Sequence, residues 1–187
     1  MNSTIPRPAS DESDAWYHGY IAKVPGENVP ELLRAQLLEV ERLLGPLDDQ
    51  AALARYAPGK WSVKEVLGHL ADVERVMAYR LLRVSRGDTT PLPSFDENAY
   101  VPAGRFDEIP LAALIDGFGM ARRSSIALVD TTPTECWVLR GVASGKTISA
   151  RALAYILVGH VTHHLGVLRE RYRLGRPEES TTAVASH

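Results

Sequence analysis

The sequence predicts an all-α protein built on a four-helix bundle. Three observations predict it. Four long stretches repeat apolar residues at spacings of three and four, and no stretch alternates strongly enough to make a sheet. The 187 residues, 45% of them hydrophobic, suit one domain with a real core.

The first predicted helix covers residues 29–47. Leu32, Leu33, Leu37, Val40, Leu43 and Leu44 make one apolar stripe, and Pro30 falls in the first turn, where its missing N–H is harmless. The second covers 62–86. Ser62 and Glu65 form a capping box, and Val66, Leu70, Val73, Met77 and Leu81 are its core face. Gly87 marks its end. The third covers 110–129, with Leu111, Leu114, Ile115, Phe118 and Ile126 inward. Gly117 and Gly119 weaken it locally. The fourth covers 149–172, with Leu153, Ile156, Leu157, Val161, Val167 and Leu168 inward. Thr147 or Ser149 caps it, and Gly175 and Pro177 stop it.

Two connections, 87–109 and 130–148, are longer than bundle loops usually are. Such loops tend to carry function or short elements of their own. Before the bundle, residues 1–14 read as a flexible polar tail, and Trp16, Tyr17 and Tyr20 are expected to pack the arm onto the body. Residues 177–187 are polar, low in complexity and expected to fray. The expected division is an arm 1–27, a bundle 28–174 and a tail 175–187.

Composition removes several classes of function. The formal net charge is -2, so no basic excess points to nucleic acid or to an anionic membrane surface. No apolar run approaches the roughly 18 residues of a membrane helix. The N-terminus lacks the charged start and apolar stretch of a secretory signal. One cysteine, Cys136, allows no internal disulfide. A cytoplasmic setting is expected.

The histidines carry the chemistry. His160 and His164 continue the apolar stripe of the fourth helix, one turn apart, which is a metal-chelating spacing. His69 lies between Val66 and Val73, toward the inward side of the second helix. If those helices are neighbours, three imidazoles converge. Burying unpaired imidazoles costs roughly a few kcal/mol each, as for other unpaired polar groups. A shared divalent ion satisfies them, and neutral imidazole suits zinc, nickel, copper and iron. The competing reading is bare core histidines. His163 falls to the side of the stripe.

Two motifs bear a family resemblance. Lys60-Trp61-Ser62-Val63-Lys64-Glu65-Val66-Leu67-Gly68-His69-Leu70-Ala71-Asp72-Val73-Glu74 resembles the second-helix motif of the DinB/YfiT-like superfamily. Gly159-His160-Val161-Thr162-His163-His164-Leu165-Gly166-Val167-Leu168 resembles its C-terminal His-x-x-x-His motif. The resemblance covers residues 30–173. It implies an up-down-down-up four-helix bundle, often a homodimer, with one metal ion, zinc or nickel, held by His69, His160 and His164. It also implies thiol chemistry, since relatives include bacillithiol S-transferases and a mycothiol-using isomerase.

Three neutral ligands leave the ion's charge uncompensated, so a bound water or thiol becomes more acidic. The expected function is therefore a metal-dependent thiol S-transferase or hydrolase acting on a small electrophile. The alternative is a non-enzymatic metal-binding stress, sensor or scaffold bundle. Asp96, Glu97 and Tyr100 of the first long loop are candidate acids, bases or substrate contacts, with Asp96 and Tyr100 put forward as catalytic. Asp72 and Glu74 are expected at the surface or behind the ligands. Arg122 and Arg123 are candidates for an anionic cosubstrate, against ordinary exposed helix arginines. Cys136 reads as a packed residue without an acid–base partner.

Overall fold

The computed structural model describes residues 4–175. The elements are α1 (His18–Ile21), α2 (Val29–Leu44), α3 (Val63–Ser85), α4 (Glu97–Gly104), α5 (Leu111–Asp130), β1 (Arg140–Ala143), β2 (Lys146–Ser149) and α6 (Ala150–Glu170). The four long helices, α2, α3, α5 and α6, form the expected bundle.

Local chemistry sets where these helices start. The Asn28 side chain accepts from the Glu31 N–H, and Pro30 occupies the first turn of α2. Ser62 and Glu65 complete both halves of the capping box of α3. Ser149 accepts from the Ala152 N–H at the start of α6. No side chain of its own cap serves α5. Its Leu111 N–H donates instead to the Asp49 carboxylate, 2.8 Å away.

Both α3 and α2 pack against α5 and α6. Helices consecutive in sequence, α2 and α3 or α5 and α6, thus lie across the bundle from one another. The long crossovers fit that arrangement, and they hold structure. The first contains α4. The second contains the hairpin β1–β2, with Arg140 opposite Ser149 and Ala143 opposite Lys146. No sheet was expected, because strands of four residues are too short to show alternation. The turn is the legible part: Ser144 and Gly145 have φ of 53° and 74°, the left-handed pair of a type I′ hairpin. The Leu92 N–H donates to the Val142 carbonyl at 2.8 Å, and the Ser144 N–H to the Leu92 carbonyl at 3.0 Å. The two crossovers are therefore tied into one structure.

The arm differs from expectation. Residues 5–14 are packed rather than free. Ile5 is buried, its N–H donates to the Glu27 carbonyl at 2.8 Å, and its own carbonyl accepts from the Tyr155 hydroxyl at 2.7 Å. Arg7 donates to the carbonyls of Ile21 and Val24, each at 2.7 Å. Buried Glu12 pairs with Arg151. A polar composition suggested solvent, yet these polar groups have specific partners on the body. The expected fraying of 177–187 lies outside the described residues.

The apolar core falls into two clusters. One holds Leu33, Val73, Met77, Ile156 and Leu157; the other holds Val40, Leu70, Phe118, Val161 and Leu165. A polar layer joins all four long helices near the boundary between the clusters. Arg122, fully buried, donates to Glu74 at 2.8 Å, Gln36 at 2.9 Å and the Leu157 carbonyl at 3.3 Å. Gln36 donates in turn to the Val158 carbonyl and to Thr162, each at 2.9 Å. Arg122 and Glu74 are thus not surface groups, and Arg122 is not open to a cosubstrate. Gln36, not Leu37, holds the inward place on α2 between Leu33 and Val40. Among the described residues no helix is long and apolar enough to cross a membrane.

Candidate metal centre

His69 lies in the second turn of α3, and His160 and His164 lie one turn apart on α6. The packing of α3 on α6 brings them together. One nitrogen of each ring lies within 4.8 Å of those of the other two. His69 Nε2 and His160 Nε2 are 3.1 Å apart. The ring centroids of His164 lie 5.0 Å from His69 and 4.6 Å from His160.

The three side chains are only 6%, 7% and 9% exposed, and that burial decides their charge. It pushes His69 down to about 4. It pushes His164 down to about 3, with repulsion from His69 and His163 adding to it. His160 is held well below the usual imidazole range by burial, then by His164, His69, His163 and Arg122. All three therefore offer lone pairs at neutral pH.

The chemistry of this donor set fits a divalent ion, and one of its pairs stands at ligand spacing. Nitrogens bound at about 2.0–2.1 Å at octahedral or tetrahedral angles stand about 2.9–3.4 Å apart, which brackets the His69–His160 separation. Neutral imidazoles suit zinc, nickel or copper rather than calcium or magnesium.

Aromatic rings hold the imidazoles in place. Trp61 lies 4.8 Å from His69, and Tyr20 lies 5.4 Å from His160 and 5.6 Å from His163. Two glycines beside the histidines let other groups pack closely. A Cβ at Gly159 would stand 2.1 Å from the Tyr20 carbonyl oxygen, and one at Gly68 would stand 2.3 Å from the Phe106 ring. Each glycine immediately precedes one of the histidines.

His69 and His160 open onto a cavity of about 260 Å³. Tyr17 and Tyr20 of the arm, Phe95 and Glu97 of the first crossover and Ser144 of the hairpin wall it. Val73, Met77 and Ile156 supply further apolar lining. His164 borders a separate depression with His163 and Trp61.

The first-loop candidates separate on this geometry. Asp96 caps α4 by accepting from the Asn98 N–H at 2.9 Å, and it is exposed. Tyr100 is 46% exposed and packs on Phe95 at 5.7 Å. Neither lines the cavity, whereas Glu97 does. Asp72 is half-buried beside Arg75, and burial raises its carboxyl. Arg123 is exposed, and Cys136 lies half-buried in a short 3-10 turn. The roles of Trp61, Tyr20, Phe95 and Ser144 were not foreseen. Gly68 and Gly159 beside the histidines are the signal that could have shown a close neighbour there.

The sequence profile of the DinB superfamily matches residues 32–168, the span that contains all three histidines. The chain belongs to the DinB superfamily. DinB-like folds among solved structures agree. YfiT from Bacillus subtilis, described as a probable metal-dependent hydrolase with an unusual four-helix bundle topology, superposes with a TM-score of 0.68 at 19% identity. That match covers 91% of this chain and 95% of YfiT. The mycothiol-dependent maleylpyruvate isomerase gives a TM-score of 0.62 at 16% identity, over 78% of this chain. This DinB-superfamily chain spans 61% of the isomerase's length. No curated protein matches.

Proposed function

We propose that this chain is a metal-dependent enzyme acting on a small electrophilic substrate, as a thiol S-transferase or a hydrolase. One divalent ion, zinc or nickel, is held by His69, His160 and His164. The observation that carries the reading is the convergence of three buried, neutral imidazoles, two of which border a cavity. When bound, the ion supplies Lewis acidity and lowers the pKa of a water or thiol presented to it.

The chain's own residues do the rest. Tyr20 and Trp61 fix the ring planes of His160 and His69. Val73, Met77, Phe95 and Ile156 keep the cavity largely dry, which strengthens electrostatic interactions inside it. Glu97 is the carboxylate of the cavity wall and takes the proton released from the nucleophile. Asp96 positions Glu97 by capping the turn that carries it, and Tyr100 supports Phe95. The descriptions of YfiT and of the mycothiol-dependent isomerase support the hydrolase and thiol branches respectively. The reading carries with it the homodimer implied by the family resemblance and the cytoplasmic setting expected from the sequence.

Elemental analysis should find one equivalent of zinc or nickel in the native protein and none in His164→Ala. If the ion is held at about a hundredfold its dissociation constant, removing it lowers stability by about 2.7 kcal/mol and the melting temperature by roughly 5–10 °C. A panel of electrophiles, with and without low-molecular-weight thiols, then reads turnover. Activity that persists after verified removal of the ion, or in His164→Ala, defeats the proposal. A bound ion with no turnover on any electrophile returns the chain to the sensor or scaffold alternative.

A further inference from the structure

The cavity has a second polar end, far from the histidines. His69, Val73 and Met77 line it at successive turns of α3, so it follows that helix for roughly 12 Å. Just beyond Met77 stands Arg80, which is 2% exposed. Its guanidinium has no carboxylate partner among the described residues. It donates to the Pro93 carbonyl at 2.8 Å and to Ser144 Oγ at 3.0 Å, touches Met77 Sδ at 3.9 Å, and lies over the Phe95 ring at 5.6 Å. Glu97, the carboxylate in the cavity wall, does not pair with it.

A buried cation without a counter-ion is costly to keep unless something supplies the opposite charge. Ser144 is placed to mediate. Its oxygen accepts from Arg80, so its own proton is left to donate elsewhere, and the residue lines the cavity. Its position is fixed by the hairpin turn and by the N–H it gives to the Leu92 carbonyl.

We propose that the cavity takes an elongated, largely apolar substrate with an anionic oxygen group, a carboxylate, which the Ser144 hydroxyl binds under the charge of Arg80 while the other end reaches His69 and His160. This rests on the reading of the cavity as the substrate pocket. It adds the chemical class of the substrate.

Hexanoate and hexanamide are a matched pair of probes. Calorimetric titration of the metal-free protein at mildly alkaline pH removes any coordination of the carboxylate by an ion. The acid is expected to bind at least about tenfold more tightly than the amide, as for a charge-assisted hydrogen bond. Arg80→Met should bring the ratio close to one. Because Arg80 also braces two loops, Ser144→Gly is the second variant: it removes only the small hydroxymethyl side chain and leaves Arg80 in place, at a backbone position whose φ of 53° suits glycine. An acid-to-amide ratio near one in the wild type, no binding of the acid, or a ratio unchanged in Ser144→Gly overturns the inference. The metal reading is judged separately, by elemental analysis, so either can fail alone.

Discussion

His69, His160 and His164 make stability depend on pH in a fixed direction. The ordinary value of 6.5 applies to the unfolded chain, while His69 and His164 sit at about 4 and about 3 in the fold. Between these limits the unfolded chain binds more protons, so stability falls as pH drops through that window and levels off below it. Glu12 acts lower down. Arg151 holds its carboxyl at about 2 against 4.5, so the stability it contributes above 4.5 is lost as pH falls toward 2. Thermal melts of the metal-free protein should therefore drop in two acid stages. His164→Ala should shrink the first and Glu12→Gln the second; a melt that is flat from neutrality to pH 4 would contradict this. The inward-facing His160 and His164 were legible because an i, i+4 pair continued an apolar stripe. Arg122, Glu74 and Gln36 were not, because a polar residue at a core position looks like a surface residue until its partner is known. Their partners lie 48 and 86 residues apart in sequence. Glu97 could not be separated from Asp96 and Tyr100 because loop residues carry no periodicity that says which way they face.

Helix α6 shows how an element serves both packing and chemistry. Residues 152–161 are buried on every side, because the arm covers the face that the bundle leaves open. At Gly159 the arm's backbone lies close enough that a Cβ would meet the Tyr20 carbonyl. Gly159→Ala gains at most about 1 kcal/mol in helix propensity. Against this, the new methyl meets a backbone carbonyl that cannot rotate away, and such overpacking costs about 1–3 kcal/mol. A net loss of stability in urea denaturation is expected, together with a change in tyrosine fluorescence as Tyr20 leaves His160. A variant as stable as the wild type would mean the arm is not held against α6. The long helices were readable from periodicity and caps. The hairpin was not, since four-residue strands leave only the Ser144-Gly145 turn as a signal.

At the scale of the whole molecule, the family match begins at residue 32, yet one wall of the cavity comes from residues before it. We propose that 28–174 folds as the bundle and that 1–27 is a separate, site-completing arm. A protein starting at residue 28 should still take up one ion, since the three histidines remain. It should lose stability, because Ile5, Ile21 and Val24 no longer cover the core, and lose turnover on substrates that need Tyr17 and Tyr20. Full activity of the shortened protein would show that the arm is dispensable. The polar layer has one more consequence. Glu74 cancels Arg122, the imidazoles are neutral, and Arg80 has no carboxylate partner among the described residues. A dication held by the histidines would, even against the Glu97 carboxylate in the same cavity wall, leave that interior with surplus positive charge. On the proposed reading, the cavity would then favour anions over ammonium-bearing molecules of the same size.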